Sequence, residues 1–130
     1  MENYKILIAE DDESMGRLIS YKLKSTGYDI KVVQEGDLVM KELKDNKYHL
    51  LILDLMLPVV NGIQILKKIK EEQFNINVLV LSARSQEKDI VNVLNLGADE
   101  YMTKPFRPDE LLVRVKKILE NKKWLITYII

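Results

Sequence analysis

The sequence predicts an α/β fold, a doubly wound parallel sheet of (βα)5 type, and three observations lead there. Five short apolar or β-branched runs recur along the chain, segments with helical periodicity separate them, and most of the runs are continuously apolar, as strands covered on both faces require. A chain of 130 residues that is 47% hydrophobic can bury one core and is too short for two ordinary domains.

The first run, Lys5 to Ala9, precedes a segment that sets Met15, Leu18, Ile19 and Leu23 on one helical face and closes at Gly27, a residue suited to positive φ at a helix end. Asp29 to Val33 forms the second run. A helix is then expected from Asp37, as N-cap, to about Lys44, with Leu38 and Leu43 on its buried side. Leu50 to Leu53 is the third run, followed by a helix that starts near Asn61-Gly62 and buries Ile63, Leu66 and Ile69. After Val78 to Leu81 comes a helix over roughly Gln86 to Leu96, stopped by Gly97. The run Tyr101 to Thr103 leads to a last helix opening at Pro108, with Asp109 and Glu110 where the helix dipole favours negative charge. Right-handed crossovers make 2-1-3-4-5 the economical strand order, with a crevice beyond the carboxyl ends of the first and third strands.

Charge and composition exclude several roles. Lys plus Arg and Asp plus Glu both number 20, so the chain offers no net field for nucleic acid or an anionic membrane. Any DNA binding is expected to lie outside it. Without cysteine there is no disulfide, thiolate metal site or thiol nucleophile. The N-terminal apolar stretch is too short for a signal peptide or membrane span, which points to a cytoplasmic protein with no membrane partner. The apolar run Trp124 to Ile130 is open to several readings: an extra strand, a packed tail, an artificial end, a partner surface or the start of a further domain. The expected division is a domain over 1–120, with 121–130 as a tail or the beginning of an effector domain.

Chemistry is expected at the strand ends, where open parallel sheets bind ligands. The first run ends in Glu10-Asp11-Asp12, the third in Asp54, the fourth in Ser82 and the fifth in Lys104. A carboxylate at the end of so apolar a stretch as Leu50 to Leu53 is costly unless paired, and Asp54 there can act as a nucleophile toward phosphorus. Glu10 and Asp11 beside it repel one another and call for a hard divalent ion. Mg²⁺ suits best, because it takes few carboxylates and shares phosphoryl oxygens. Asp12 is better read as a helix cap than as a ligand. Lys104 can balance the negative charge and hold a phosphoryl oxygen, and Ser82, with the backbone N–H of Ala83, can donate to the same group. His49, the lone histidine, precedes the third run at the opposite end of the sheet and makes a poor catalyst candidate.

Four stretches, Ile6-Leu7-Ile8-Ala9-Glu10-Asp11-Asp12, Leu51-Ile52-Leu53-Asp54-Leu55-Met56-Leu57-Pro58, Val80-Leu81-Ser82-Ala83-Arg84 and Gly97 through Phe106, together resemble response-regulator receiver domains. Within that family they look most like receivers of the OmpR/PhoB winged-helix type. The resemblance implies a flavodoxin-like fold and phosphotransfer from the phosphohistidine of a sensor histidine kinase to Asp54. It implies Mg²⁺ held by Asp11, Asp54 and the backbone carbonyl of Met56, with Glu10 acting through water. It also implies a Ser82–Tyr101 switch pair, in which the hydroxyl moves toward the phosphoryl group and the ring turns inward, and a cis bond before Pro105. By the same resemblance, phosphorylation favours a homodimer through the fourth helix, fifth strand and fifth helix, with Glu100 and Arg114 paired across the two-fold axis. Ile90 and Asn95 stand where charged partners for Glu110 and Lys116 are usual. The implied output is transcription regulation through an effector domain absent from this chain, or, alternatively, protein contacts made by a stand-alone receiver. A metal-dependent phosphatase of the haloacid-dehalogenase type is a rival, but it needs an aspartate where Met56 stands; a flavin or nucleotide module lacks a phosphate-cradling loop.

Overall fold

A computed structural model describes residues 3–129, with side chains described as far as 120. Ten elements alternate: β1 (Lys5–Ala9), α1 (Glu13–Lys24), β2 (Asp29–Val33), α2 (Gly36–Asp45), β3 (Leu50–Asp54), α3 (Gly62–Glu71), β4 (Asn77–Ser82), α4 (Glu87–Asn95), β5 (Glu100–Thr103) and α5 (Pro108–Ile129). All strand pairings are parallel and the order is β2-β1-β3-β4-β5, the flavodoxin-like arrangement the sequence predicts. Neighbouring residues on a strand point to opposite faces, so each central strand feeds two cores. Leu7, Leu51, Leu53 and Val80 pack with Val39 and Leu43 of α2, Ile65 and Leu66 of α3, and Val93 of α4. Ile6, Ile8, Ile52 and Leu79 pack with Ile19 and Leu23 of α1 and with Leu111 and Val115 of α5.

The polar residues at the mouth of the crevice stand where these apolar strands stop. Asp54 and Ser82 are the last residues of β3 and β4, and Glu10 directly follows β1. Asp12 caps α1, accepting from the Met15 backbone N–H at 3.0 Å. Asn61 and Gln64 form a reciprocal capping box at the start of α3. The Gly27 and Gly97 φ values of 94° and 112° match their expected roles at helix ends.

Two helical faces are rotated from the sequence expectation. Leu18 is exposed, because the buried stripe of α1 is Gly16, Ile19 and Leu23, with Gly16 facing Val32. Likewise Leu38 is exposed while Val39, Met40 and Leu43 are buried; α2 starts at Gly36, so Glu35 occupies the cap position and Asp37 lies in the first turn. In α3 the deepest residue is Ile65, with Ile63 only partly buried. The backbone of α5 runs helically to Ile129 rather than forming a further strand, while the packing of side chains 121–130 lies outside the described residues. Among the described residues no helix is long and apolar enough to cross a membrane.

Candidate functional site: an acidic cluster bridged by lysine

The strand ends bring Glu10, Asp11, Asp54, Ser82 and Lys104 to one side of the sheet. Lys104, just past β5, donates to Glu10 Oε1 at 2.6 Å and to Asp54 Oδ2 at 3.1 Å. Glu10 and Asp54 are buried, at 2% and 6% exposure, so the lysine compensates charges that water reaches poorly. Each carboxylate is also held from its own loop: Glu10 Oε2 accepts from the Asp12 N–H at 3.2 Å, and Asp54 Oδ1 accepts from the Met56 N–H at 3.0 Å. Burial pushes the Glu10 carboxyl up to about 7, against the opposing pull of Lys104. Burial also disfavours the Lys104 charge, but the hydrogen bonds it donates to two carboxylates outweigh this and raise the ammonium's pKa.

Carboxylate oxygens of Glu10, Asp11 and Asp54 lie within 4.8 Å of one another, with Asp11 exposed. Three carboxyl groups and one ammonium make an open, all-oxygen donor set with more acidic groups than basic ones. Such a set fits a hard divalent cation with water completing its shell. Two clefts flank the cluster: one of about 370 Å³ is lined by Asp11, Met56, Pro58, Asn61 and Arg84, and one of about 520 Å³ runs between α1 and α2 to Glu10 and Asp12.

Ser82 is fully buried, and its Oγ accepts from the Arg84 backbone N–H at 3.1 Å. Tyr101 lies in β5 with its ring buried and its hydroxyl donating to the Arg84 carbonyl at 2.8 Å. Arg84 thus ties the Ser82 and Tyr101 side chains to one backbone residue, and its guanidinium reaches Met56 Sδ at 4.0 Å. Sequence reading gave the Ala83 backbone N–H a place as donor to a phosphoryl oxygen and did not foresee that the backbone of Arg84 contacts both the Ser82 and Tyr101 side chains. Lys104-Pro105 is a cis peptide bond. His49 sits at the opposite end of β3, where Nδ1 accepts from the Lys5 N–H at 3.0 Å, a structural contact away from the cluster. Glu100 opens β5 and Arg114 lies on α5; within one chain they form an ion pair, and Arg114 also reaches Glu110 at 3.1 Å.

Comparison with known proteins places this arrangement. The family model described as "Response regulator receiver domain" matches residues 6–116. The chain is 40% identical over 121 residues to the alkaline phosphatase synthesis transcriptional regulatory protein PhoP of Bacillus subtilis, covering 93% of this chain and 50% of that protein. It is 35% identical over 117 residues to the response regulator ArlR of Staphylococcus haemolyticus, covering 90% of this chain and 53% of ArlR. The chain therefore spans about half the length of these curated relatives. Among solved structures, the Francisella response regulator 1452 receiver domain superposes with a TM-score of 0.89 at 32% identity, over 92% of this chain and 99% of that one. DrrB, a Thermotoga maritima OmpR/PhoB homologue, gives 0.85 at 32% identity, over 93% of this chain and 54% of DrrB. Family match, shared fold and lysine-bridged acidic cluster agree: the chain belongs to the response-regulator receiver domains of two-component signalling.

Proposed function

We propose that Asp54 is the phosphoacceptor of this receiver, taking a phosphoryl group from the phosphohistidine of a sensor histidine kinase. The observation that carries the reading is the Lys104 bridge between buried Asp54 and buried Glu10, beside exposed Asp11. A bound Mg²⁺ would supply charge neutralisation for the phosphoryl oxygens; Asp11, Asp54 and the Met56 backbone carbonyl would hold it, with Glu10 acting through water. The Met56 N–H and the Lys104 ammonium each take one Asp54 oxygen, which fixes the carboxylate plane against rotation. An Asp54 oxygen attacks phosphorus, the phosphorus–nitrogen bond breaks, and the imidazole leaves with the electron pair. Lys104 then shifts its hydrogen bonding toward a phosphoryl oxygen, and Ser82 exchanges its contact with Arg84 for one to the same group.

Ser82, Arg84 and Tyr101 form the switch in this reading, because one backbone residue serves both side chains. The output we propose is control of transcription by an effector domain outside this chain, in a cytoplasmic regulator. The relatives' names and their greater length support that reading. A phosphatase reading finds no support, since Met56 offers no carboxyl group for acid–base chemistry.

Asp54→Asn tests the assignment. Intact-mass measurement after incubation with acetyl phosphate and Mg²⁺ should show one added phosphoryl group on the parent and none on the variant. Equal labelling of the variant would move the phosphoacceptor elsewhere.

A further inference from the structure

The segment Leu55 to Gly62, which carries Met56, is pinned at both ends by backbone contacts that only glycines permit. At its base the Gly62 N–H donates to the Leu55 carbonyl at 2.9 Å, and a Cβ on Gly62 would stand 2.6 Å from Leu55 Cα. At its tip the chain makes a tight γ-turn: the Val60 N–H returns to the Pro58 carbonyl at 2.9 Å, and Val59 between them has φ 72°. A β-branched residue at positive φ is strained and persists only where its surroundings impose it. What imposes it here comes from another element. The Gly36 N–H, at the first residue of α2, donates to the same Pro58 carbonyl at 3.1 Å, and a Cβ on Gly36 would lie 1.7 Å from the Val60 carbonyl oxygen.

The geometry points to Gly36 as a positioning residue for the phosphoacceptor site: its bare Cα lets the N-terminus of α2 brace the Pro58–Val60 turn, and through it the loop that carries Met56. The proposal rests on the phosphoacceptor reading above, since it assigns Gly36 a role in placing the Met56 backbone. Pro58 and Asp54 are joined by a short stretch, and Met56 within it already donates to Asp54, so a displaced turn has little chain in which to absorb the movement. Helix propensity alone would make Gly36→Ala favourable, because alanine is the better helix former. Any harm must therefore come from the encounter of the new Cβ with Val60, which is backbone and can yield only by moving the turn.

Three variants separate this from a general loss of stability: Gly36→Ala, Val59→Gly and the double variant. Mg²⁺ affinity would be read by amide NMR titration, which reports on folded protein only. Gly36→Ala should shift the Leu55 to Asn61 amides without metal and weaken Mg²⁺ binding about tenfold, as loss of support behind a metal ligand commonly does. Val59→Gly should bind Mg²⁺ within about twofold of the parent, since glycine takes positive φ without strain. The double variant should recover thermal stability, because a glycine turn yields more easily to the added Cβ, but should keep the weakened Mg²⁺ binding. It also keeps the test readable if Gly36→Ala alone does not fold. Parental Mg²⁺ affinity in the double variant, or in a folded Gly36→Ala, would overturn the positioning role while leaving the phosphoacceptor reading intact. Failure of the parent itself to bind Mg²⁺ would overturn both.

Discussion

At the scale of single residues, the decisive feature is that one ammonium serves two buried carboxylates. Lys104 bonds Glu10 at 2.6 Å and Asp54 at 3.1 Å, yet burial still lifts Glu10 to about 7. Its folded pKa thus lies above the ordinary glutamate value of 4.5. The folded state then binds a proton more readily than the unfolded chain, and the group's contribution to stability is fully present below pH 4.5 and is lost as pH rises through about 7. Glu10→Gln imitates the protonated form at every pH. In EDTA, parent and variant should have similar urea stabilities at acid pH, with the variant ahead at pH above about 7 by on the order of 2 kcal/mol. Urea titrations of both proteins at pH 5 and 8 check this, and a gap that closes as pH rises would show the sign to be wrong. Added Mg²⁺ favours the ionised carboxylate and should narrow the gap at high pH.

At the scale of elements, α3 illustrates how a helix start keeps the loop before it in place. The Asn61 side chain accepts from the Gln64 N–H at 3.0 Å, and the Gln64 side chain accepts from the Asn61 N–H at 3.2 Å. Asn61→Ala removes the first of these and should destabilise the protein by about 1 kcal/mol, read as a lower urea midpoint with unchanged slope. A neutral substitution would mean that Ile65, Leu66 and Ile69 alone hold the helix start. Much at this scale was legible in the sequence: Gly27, Gly97, Asn61-Gly62 and Pro108 mark helix ends by chemistry local to the chain. What was not legible depends on contacts between distant segments. Leu18 and Leu38 fit a helical period as well as their buried neighbours do, and which stripe is buried depends on packing against distant segments, as where Gly36 abuts Val60. The site followed the same division. Glu10, Asp54, Ser82 and Lys104 were visible because polar residues interrupt apolar runs, whereas the contacts of Arg84 and Gly36 are made through their backbones, which side-chain chemistry does not advertise.

At the scale of the whole molecule, the α4–β5–α5 face is where phosphorylation is proposed to produce a dimer. Val91, Leu94 and Val113 are exposed on α4 and α5, and Arg114 already pairs with Glu100 and Glu110 inside one chain. Exchanging those partners for the same ones across a two-fold axis replaces one partly exposed ion pair by another. Each such pair is worth only about 0–1 kcal/mol, so the exchange adds little net attraction. Ile90 and Asn95 remove two further charges from the expected set, which leaves apolar contact as the main source of affinity. The dimer should accordingly be weak and respond less to salt than one held by charge pairs. Arg114→Glu would nevertheless abolish it, because a third carboxylate would face Glu100 and Glu110 from both chains. Sedimentation with and without a beryllofluoride phosphoryl mimic, at low and high salt, reads both effects. The parent should dimerise only with the mimic, at both salt concentrations, and Arg114→Glu should stay monomeric with its melting temperature recorded as a check on folding. A mimic-induced dimer indifferent to Arg114→Glu places the interface on another face, and a parent that stays monomeric at high concentration favours signalling through contacts with other proteins.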